Sequence, residues 1–314
     1  MKRAAIIFAI LSMAVWAGAQ TSASPKTPAS GQPAAGQGAT GQGAAAQGAT
    51  AGTAAPAAKR PPQAKTTPEY DAYKAATANA DAATMEKAAD DFATKFPDSE
   101  LRVLLFKNDM HLYQNANNAE KTEELGRKLL AIDPDDPDAL TMVAEVIAER
   151  TRDTDINKTE RYEEGLKMAN RALTTIDTDV AVPPGTPPER VEAYKSGLRA
   201  QAYSTMGTIE YNKTNYAGAQ EDFQKAIDAY PSQPYAPDVL RLALSLDKQG
   251  KYEDALKAAN RAVELSQESS PIGGSARREQ DRLQKLTGHV PATPSQTPAA
   301  QPAQTPPQSQ PPNK

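Results

Sequence analysis

The chain has 314 residues, 39% of them hydrophobic and 24% charged, and carries a formal net charge of −4. It contains no cysteine, which excludes disulfides, thiolate catalysis and a lipid-modified cysteine at a cleavage site. All 39 acidic residues lie between Thr66 and Val290 beside 28 basic ones, a local net of 28 − 39 = −11. That sign opposes binding to a phosphate backbone, so no nucleic acid partner is expected.

Lys2 and Arg3 are followed by an apolar run from Ala4 to Trp16 and by the small residues Ala17-Gly18-Ala19. This layout predicts a signal peptide over residues 1–19, with cleavage before Gln20 and an exported, periplasmic or secreted product. The alternative is an uncleaved anchor. The 16 residues from Ala4 to Ala19 would make about 24 Å of helix against a bilayer core of about 30 Å. A membrane association would therefore run through an uncleaved signal or through a partner.

Residues 20–65 are Ala, Gly, Gln, Thr, Ser and Pro with a few basic residues, and neither acidic nor aromatic ones. Such a segment buries too little apolar surface to offset its chain entropy and is expected to be a disordered linker. Residues 291–314 repeat the theme with Pro and Gln. Both ends read as spacers or as solubilising tails.

The segment between them, residues 66–290, holds an internal repeat. YEEGLKMANRAL (Tyr162 to Leu173) and YEDALKAANRAV (Tyr252 to Val263) share eight of twelve positions, and YAGAQEDFQKAI (Tyr216 to Ile227) is a third copy. A first-helix pattern precedes each: Tyr203, Met206 and Gly207 before Tyr216, then Val239, Leu242, Ala243 and Leu246 before Tyr252. Upstream, Leu140, Val143, Ala144 and Ile147 pair with the Tyr162 copy. Phe106, Met110 and Tyr113 pair with Leu129 and Leu130, and Tyr70–Asn79 pairs with Ala83–Phe96. The loop VAVPPGTPP (Val180 to Pro188) breaks the array, because no helix tolerates it internally. Gly273-Gly274 precede a charged helix, Ser275 to Leu286, suited to cap a stack. No stretch of this region shows the period of two expected of strands.

These residues resemble the tetratricopeptide repeat (TPR), whose units are antiparallel helix pairs with small residues at the helix crossings. The resemblance implies an all-α solenoid of about five repeats plus a C-terminal capping helix. It further implies a groove lined by the first helices, binding a protein or peptide partner. Carried over by position, that lining is Lys107, His111, Gln114 and Asn115, then Thr141, Glu145 and Glu149. Further along come Ser204, Thr208, Tyr211 and Asn212, and then Leu240, Leu244, Asp247 and Lys248. Some relatives clamp a terminal carboxylate with paired lysine and asparagine; here Lys107 has His111 where the asparagine would stand. The acidic balance favours a basic partner.

Candidate chemistry is sparse. His289 borders the tail and His111 stands alone on a first helix, where a solvated residue is expected rather than a general base. Asp133-Pro-Asp-Asp-Pro-Asp138 lies where one unit turns into the next and reads as a turn and helix cap rather than a metal site. Asp153, Asp155, Asn157 and Glu164 fall at ligand positions of a calcium loop, but Lys158 and Arg161 occupy places that need a glycine and a ligand. A polar insertion is the competing reading of that segment. No metal, cofactor or enzymatic activity is expected. The functional expectation is an exported interaction scaffold, with an envelope-associated structural or assembly factor as the alternative.

Overall fold

The computed structural model describes residues 59–288. The expected signal peptide, the linker as far as residue 58, the tail from 291 and His289 lie outside the described residues. Eleven helices and no strand occur among the described residues. They form five consecutive pairs: α1 (Thr67–Thr77) with α2 (Ala82–Lys95), α3 (Leu101–Asn115) with α4 (Ala119–Ile132), and α5 (Pro137–Arg150) with α6 (Lys158–Asp179). Then come α7 (Pro188–Asn212) with α8 (Tyr216–Ala229), α9 (Ala236–Lys248) with α10 (Tyr252–Glu264), and the terminal α11 (Pro271–Thr287). Each helix packs on the next, and the first helices also touch across pairs, α1 on α3, α5 on α7, α7 on α9 and α9 on α11.

Local chemistry explains where the helices start. Asp81, Asn118, Asp136, Asn215 and Ser270 each accept a hydrogen bond from a first-turn amide, and Thr66 forms a full capping box with Glu69. Inside three pairs the turn needs a left-handed residue two places before the second helix: Asn117 (φ 56°), Thr214 (φ 61°) and Gly250 (φ 74°). Glycine and asparagine suit that conformation, whereas a β-branched threonine does not. Before α11, Gly273 lies inside the first turn rather than ahead of it, because the cap is Ser270 with Pro271 following. A Cβ on Gly273 would collide with the Gln267 carbonyl oxygen.

The core runs through the pairs. Tyr73, Met85, Phe92, Leu105, Met110, Leu125 and Leu129 fill the first units, and Phe223, Val239, Leu242, Leu256 and Leu283 fill the last. Small residues set the helix spacing in between. A Cβ on Gly126 would collide with Val143 Cγ2, and one on Gly207 would lie 2.9 Å from the Phe223 ring. The backbones approach closely because glycine leaves that room.

Residues 59–65, assigned to the linker in the sequence reading, are held against the stack. The Lys59 amide donates to the Thr178 carbonyl (2.9 Å), and its ammonium meets Asp133 (2.6 Å) and Asp179 (3.6 Å). Arg60 makes a forked contact with Glu100, and Lys65 Nζ donates to the Asp98 carbonyl at 2.7 Å. This strap crosses the turns that join the first three pairs. Composition alone had no access to it, since these anchors lie between 33 residues (Lys65 to Asp98) and 179 − 59 = 120 residues (Lys59 to Asp179) along the chain.

Candidate functional site

The first helices α3, α5, α7 and α9 carry every position that the resemblance placed in a groove, and six of those fifteen side chains link one first helix to the next or to α11. Between α3 and α5 the linkage is buried. Lys107 Nζ lies 2.5 Å from Asp136 Oδ2, and His111 Nε2 lies 2.9 Å from Asp138 Oδ2. Asp136 also caps α5 through Ala139. His111 is therefore not the solvated helix residue expected from sequence. It is buried against an aspartate that a long α7 helps to cover through Tyr194. Burial alone would raise the Asp138 carboxyl. The His111 ring, the Lys107 ammonium and a hydrogen bond from Tyr194 more than offset this and hold it below the usual range. The Lys107 ammonium is disfavoured by burial, but Asp136 and Asp138 raise its pKa above the ordinary value. Burial first, and then Asp138, push the Tyr194 hydroxyl well above its usual range.

Similar rungs follow along the stack. Gln201 on α7 donates to Glu145 on α5 at 2.8 Å, and Asn212 donates to the Ala148 carbonyl at 3.3 Å. Ser204 donates to Asp238 on α9 at 2.6 Å, and Arg282 on α11 meets Asp247 at 2.5 Å. The Ser204–Asp238 rung has the same layout as His111–Asp138, since both aspartates follow a proline at the start of a first helix. The repeated pairs Pro137-Asp138 and Pro237-Asp238 were the sequence signal that could have found it. Thr208 bonds the Ser204 carbonyl of its own helix, and the Tyr211 ring packs edge-on to Tyr216 with centroids 5.3 Å apart.

What remains for an external partner is narrower. Asn115, Glu149 and Lys248 are exposed, while Thr141 and Leu240 are buried in the stack. Gln114, Glu145 and Glu149 come together on one shallow pocket between the α3–α4 hairpin and the face of α5.

The two acidic runs separate. Each aspartate of the Asp133–Asp138 turn is used by a different contact: Asp133 by Lys59, Asp135 by Arg171 at 2.5 Å, Asp136 by Lys107 and Asp138 by His111. In the other run, Glu164 is held by Arg127 of α4 at 2.6 Å, Asp155 accepts from the Arg152 amide at 2.8 Å, and Asp153 lies 3.3 Å from Lys158. No cluster of three His, Asp or Glu with metal-binding geometry occurs among the described residues. No helix among them is long and apolar enough to cross a membrane.

Neither a family model nor a curated protein sequence matches the chain. Solved structures do show similarity. The MamA protein is 14% identical with a TM-score of 0.44, over 73% of this chain and 97% of that one. A thermophilic TPR protein of Thermus thermophilus is 13% identical with a TM-score of 0.43, over 67% and 98%. The assembly chaperone of RpL4 (Acl4, residues 1–338) is 12% identical with a TM-score of 0.34, over 70% and 98%. The helix pairs themselves define the fold. It is of tetratricopeptide type. Its first helices are linked along the stack, and the second helices α6 and α10 carry the spacing Tyr-x-x-Ala/Gly-x-x-x-Ala, with Phe223 at the last place in α8.

Proposed function

We propose that the chain is an exported interaction scaffold that holds an extended peptide or a helix of a protein partner along the groove of its first helices. The observation that carries this reading is the division of labour on that face. Lys107, His111, Ser204, Asn212 and Asp247 are spent on rungs that fix neighbouring first helices, while Gln114, Glu149 and Lys248 are left to face outward or into a pocket. A surface held in shape before binding loses little entropy when a partner arrives. The sole described histidine is engaged in a structural contact, which favours binding over catalysis as the role of this face. The acidic balance favours a partner with basic stretches.

Site-specific photo-cross-linking in the source cells tests this reading. A cross-linker at Glu149 or Lys248, both exposed on the first-helix face, is expected to trap a discrete partner. One at Lys167, exposed on a second helix, is expected not to. Equal capture from both faces, or none above control, rejects the proposal. Fractionation of the same cells separates a soluble exported scaffold from an envelope-associated assembly factor, which would sediment with membranes.

A further inference from the structure

The connection between α5 and α6 is longer than its counterparts. Seven residues (151–157) join those helices, whereas three join α3 to α4, α7 to α8 and α9 to α10. The added length carries Asp155-Ile156-Asn157, which continues as Lys158-Thr159 to give acidic-x-Asn-x-Thr. Asn-x-Thr is the acceptor signature for an N-linked glycan where it lies on an exposed loop of an exported chain. The sequence holds one other copy, Glu210-Tyr211-Asn212-Lys213-Thr214, with an acid, a lysine and a threonine at the same places.

The fold treats the two copies oppositely. Asn157 is exposed, stands just before α6 and makes no side-chain capping bond to it. Ile156 is fully exposed and Thr159 is exposed as well. The backbone there is held locally, by the Lys158 amide on the Asp155 carbonyl and the Arg161 amide on the Asn157 carbonyl. Drawing this segment out into an enzyme therefore breaks few contacts. Asn212 ends α7, is half-buried and donates to the Ala148 carbonyl at 3.3 Å. Tyr211 packs on Tyr216, and Thr214 holds the left-handed turn. Freeing Asn212 would undo a rung between α5 and α7.

We propose that Asn157 is an acceptor site for an N-linked glycan and that Asn212 is a silent copy of the same signature. The assignment rests on the export reading above and adds a covalent modification to it. The donor class is an oligosaccharide joined through pyrophosphate to a polyprenol lipid. The Asn157 amide nitrogen attacks the anomeric carbon of that sugar. The new C–N bond replaces the C–O bond to pyrophosphate, the lipid pyrophosphate leaves with the electron pair, and one amide proton passes to the medium.

The test gives the purified full chain to an oligosaccharyltransferase that requires an acidic residue two places before the asparagine, with a lipid-pyrophosphate oligosaccharide as donor. Intact mass spectrometry is expected to show one added glycan, and proteolytic mapping is expected to place it on Asn157. Asn157→Gln and Thr159→Ala, both at exposed positions, are each expected to abolish the addition. Peptides spanning residues 151–163 and 206–218 are both expected to be modified, since outside the fold neither signature is held. No glycan on the folded chain, or equal modification of Asn157 and Asn212, overturns the assignment. Chain purified from the source cells separates this from export. A chain cleaved before Gln20 but bare at Asn157 overturns the glycan and leaves export standing, whereas a bare, uncleaved cytoplasmic chain rejects both.

Discussion

Asp109 offers the sharpest test of the energetics. It sits on α3 with no solvent exposure, and neither carboxylate oxygen has a hydrogen-bond partner. Burial above all, helped by Glu86 and Asp90 on α2, raises its pKa to about 7 against the pull of Lys128 and Lys121 on α4. The unfolded chain ionises this group near the ordinary 3.8, so the folded state holds the proton more tightly. The group therefore costs nothing below about pH 4, costs progressively more as pH rises toward 7, and reaches its full penalty above that. Three pKa units correspond to about 4 kcal/mol, and relaxation around the site brings the expected value to about 2–4 kcal/mol. Asp109→Asn removes the ionisation while keeping the shape. Urea unfolding of both proteins at pH 4.5 and pH 8 should show the variant gaining stability relative to wild type by about 2–3 kcal/mol more at the higher pH. Other titrating groups cancel in that difference. A gap below about 0.5 kcal/mol would refute the reasoning.

Asp138→Ala should be strongly destabilising, by about 3–5 kcal/mol in chemical denaturation, because it removes the carboxylate that His111 and Tyr194 share and leaves Lys107 only Asp136. Gly126→Ala should cost about 1–2 kcal/mol despite better helix propensity, because the new methyl meets the stiff Val143 side chain; thermal unfolding measures it. Thr214→Gly should stabilise by about 0.5–1 kcal/mol by relieving a β-branched residue at φ 61°, whereas Gly250→Thr at the equivalent turn should do the reverse.

The helix pairs were legible because each repeats small and aromatic residues at helical spacing, most clearly after Tyr216 and Tyr252. The turn reading of Asp133–Asp138 was legible too, since proline after aspartate marks a helix start. The contacts those aspartates make were not legible, because Lys59, Arg171 and Lys107 approach from three other segments. His111 looked solvated for a related reason: its partner Asp138 stands 27 residues on, and the helix carrying Tyr194 begins at Pro188, about four turns before the repeat pattern starts at Tyr203. Gly250 and Asn117 are residue types that suit the left-handed turn position, whereas the β-branched Thr214 fills the same place without signalling it.

The strap changes where a mechanical load would enter the protein. Residue 59 is fastened to the end of α6 by a backbone hydrogen bond to Thr178 and an ion pair to Asp179, and to the end of α4 by an ion pair to Asp133. A pull applied at residue 59 therefore reaches the stack at the ends of α4 and α6, and α1 to α3 lie off that line while those bonds hold. An anchor at α1 would let tension peel the helices away one pair at a time. Fastened at the ends of α4 and α6, the chain has to lose a backbone hydrogen bond and two ion pairs before the tension reaches α1.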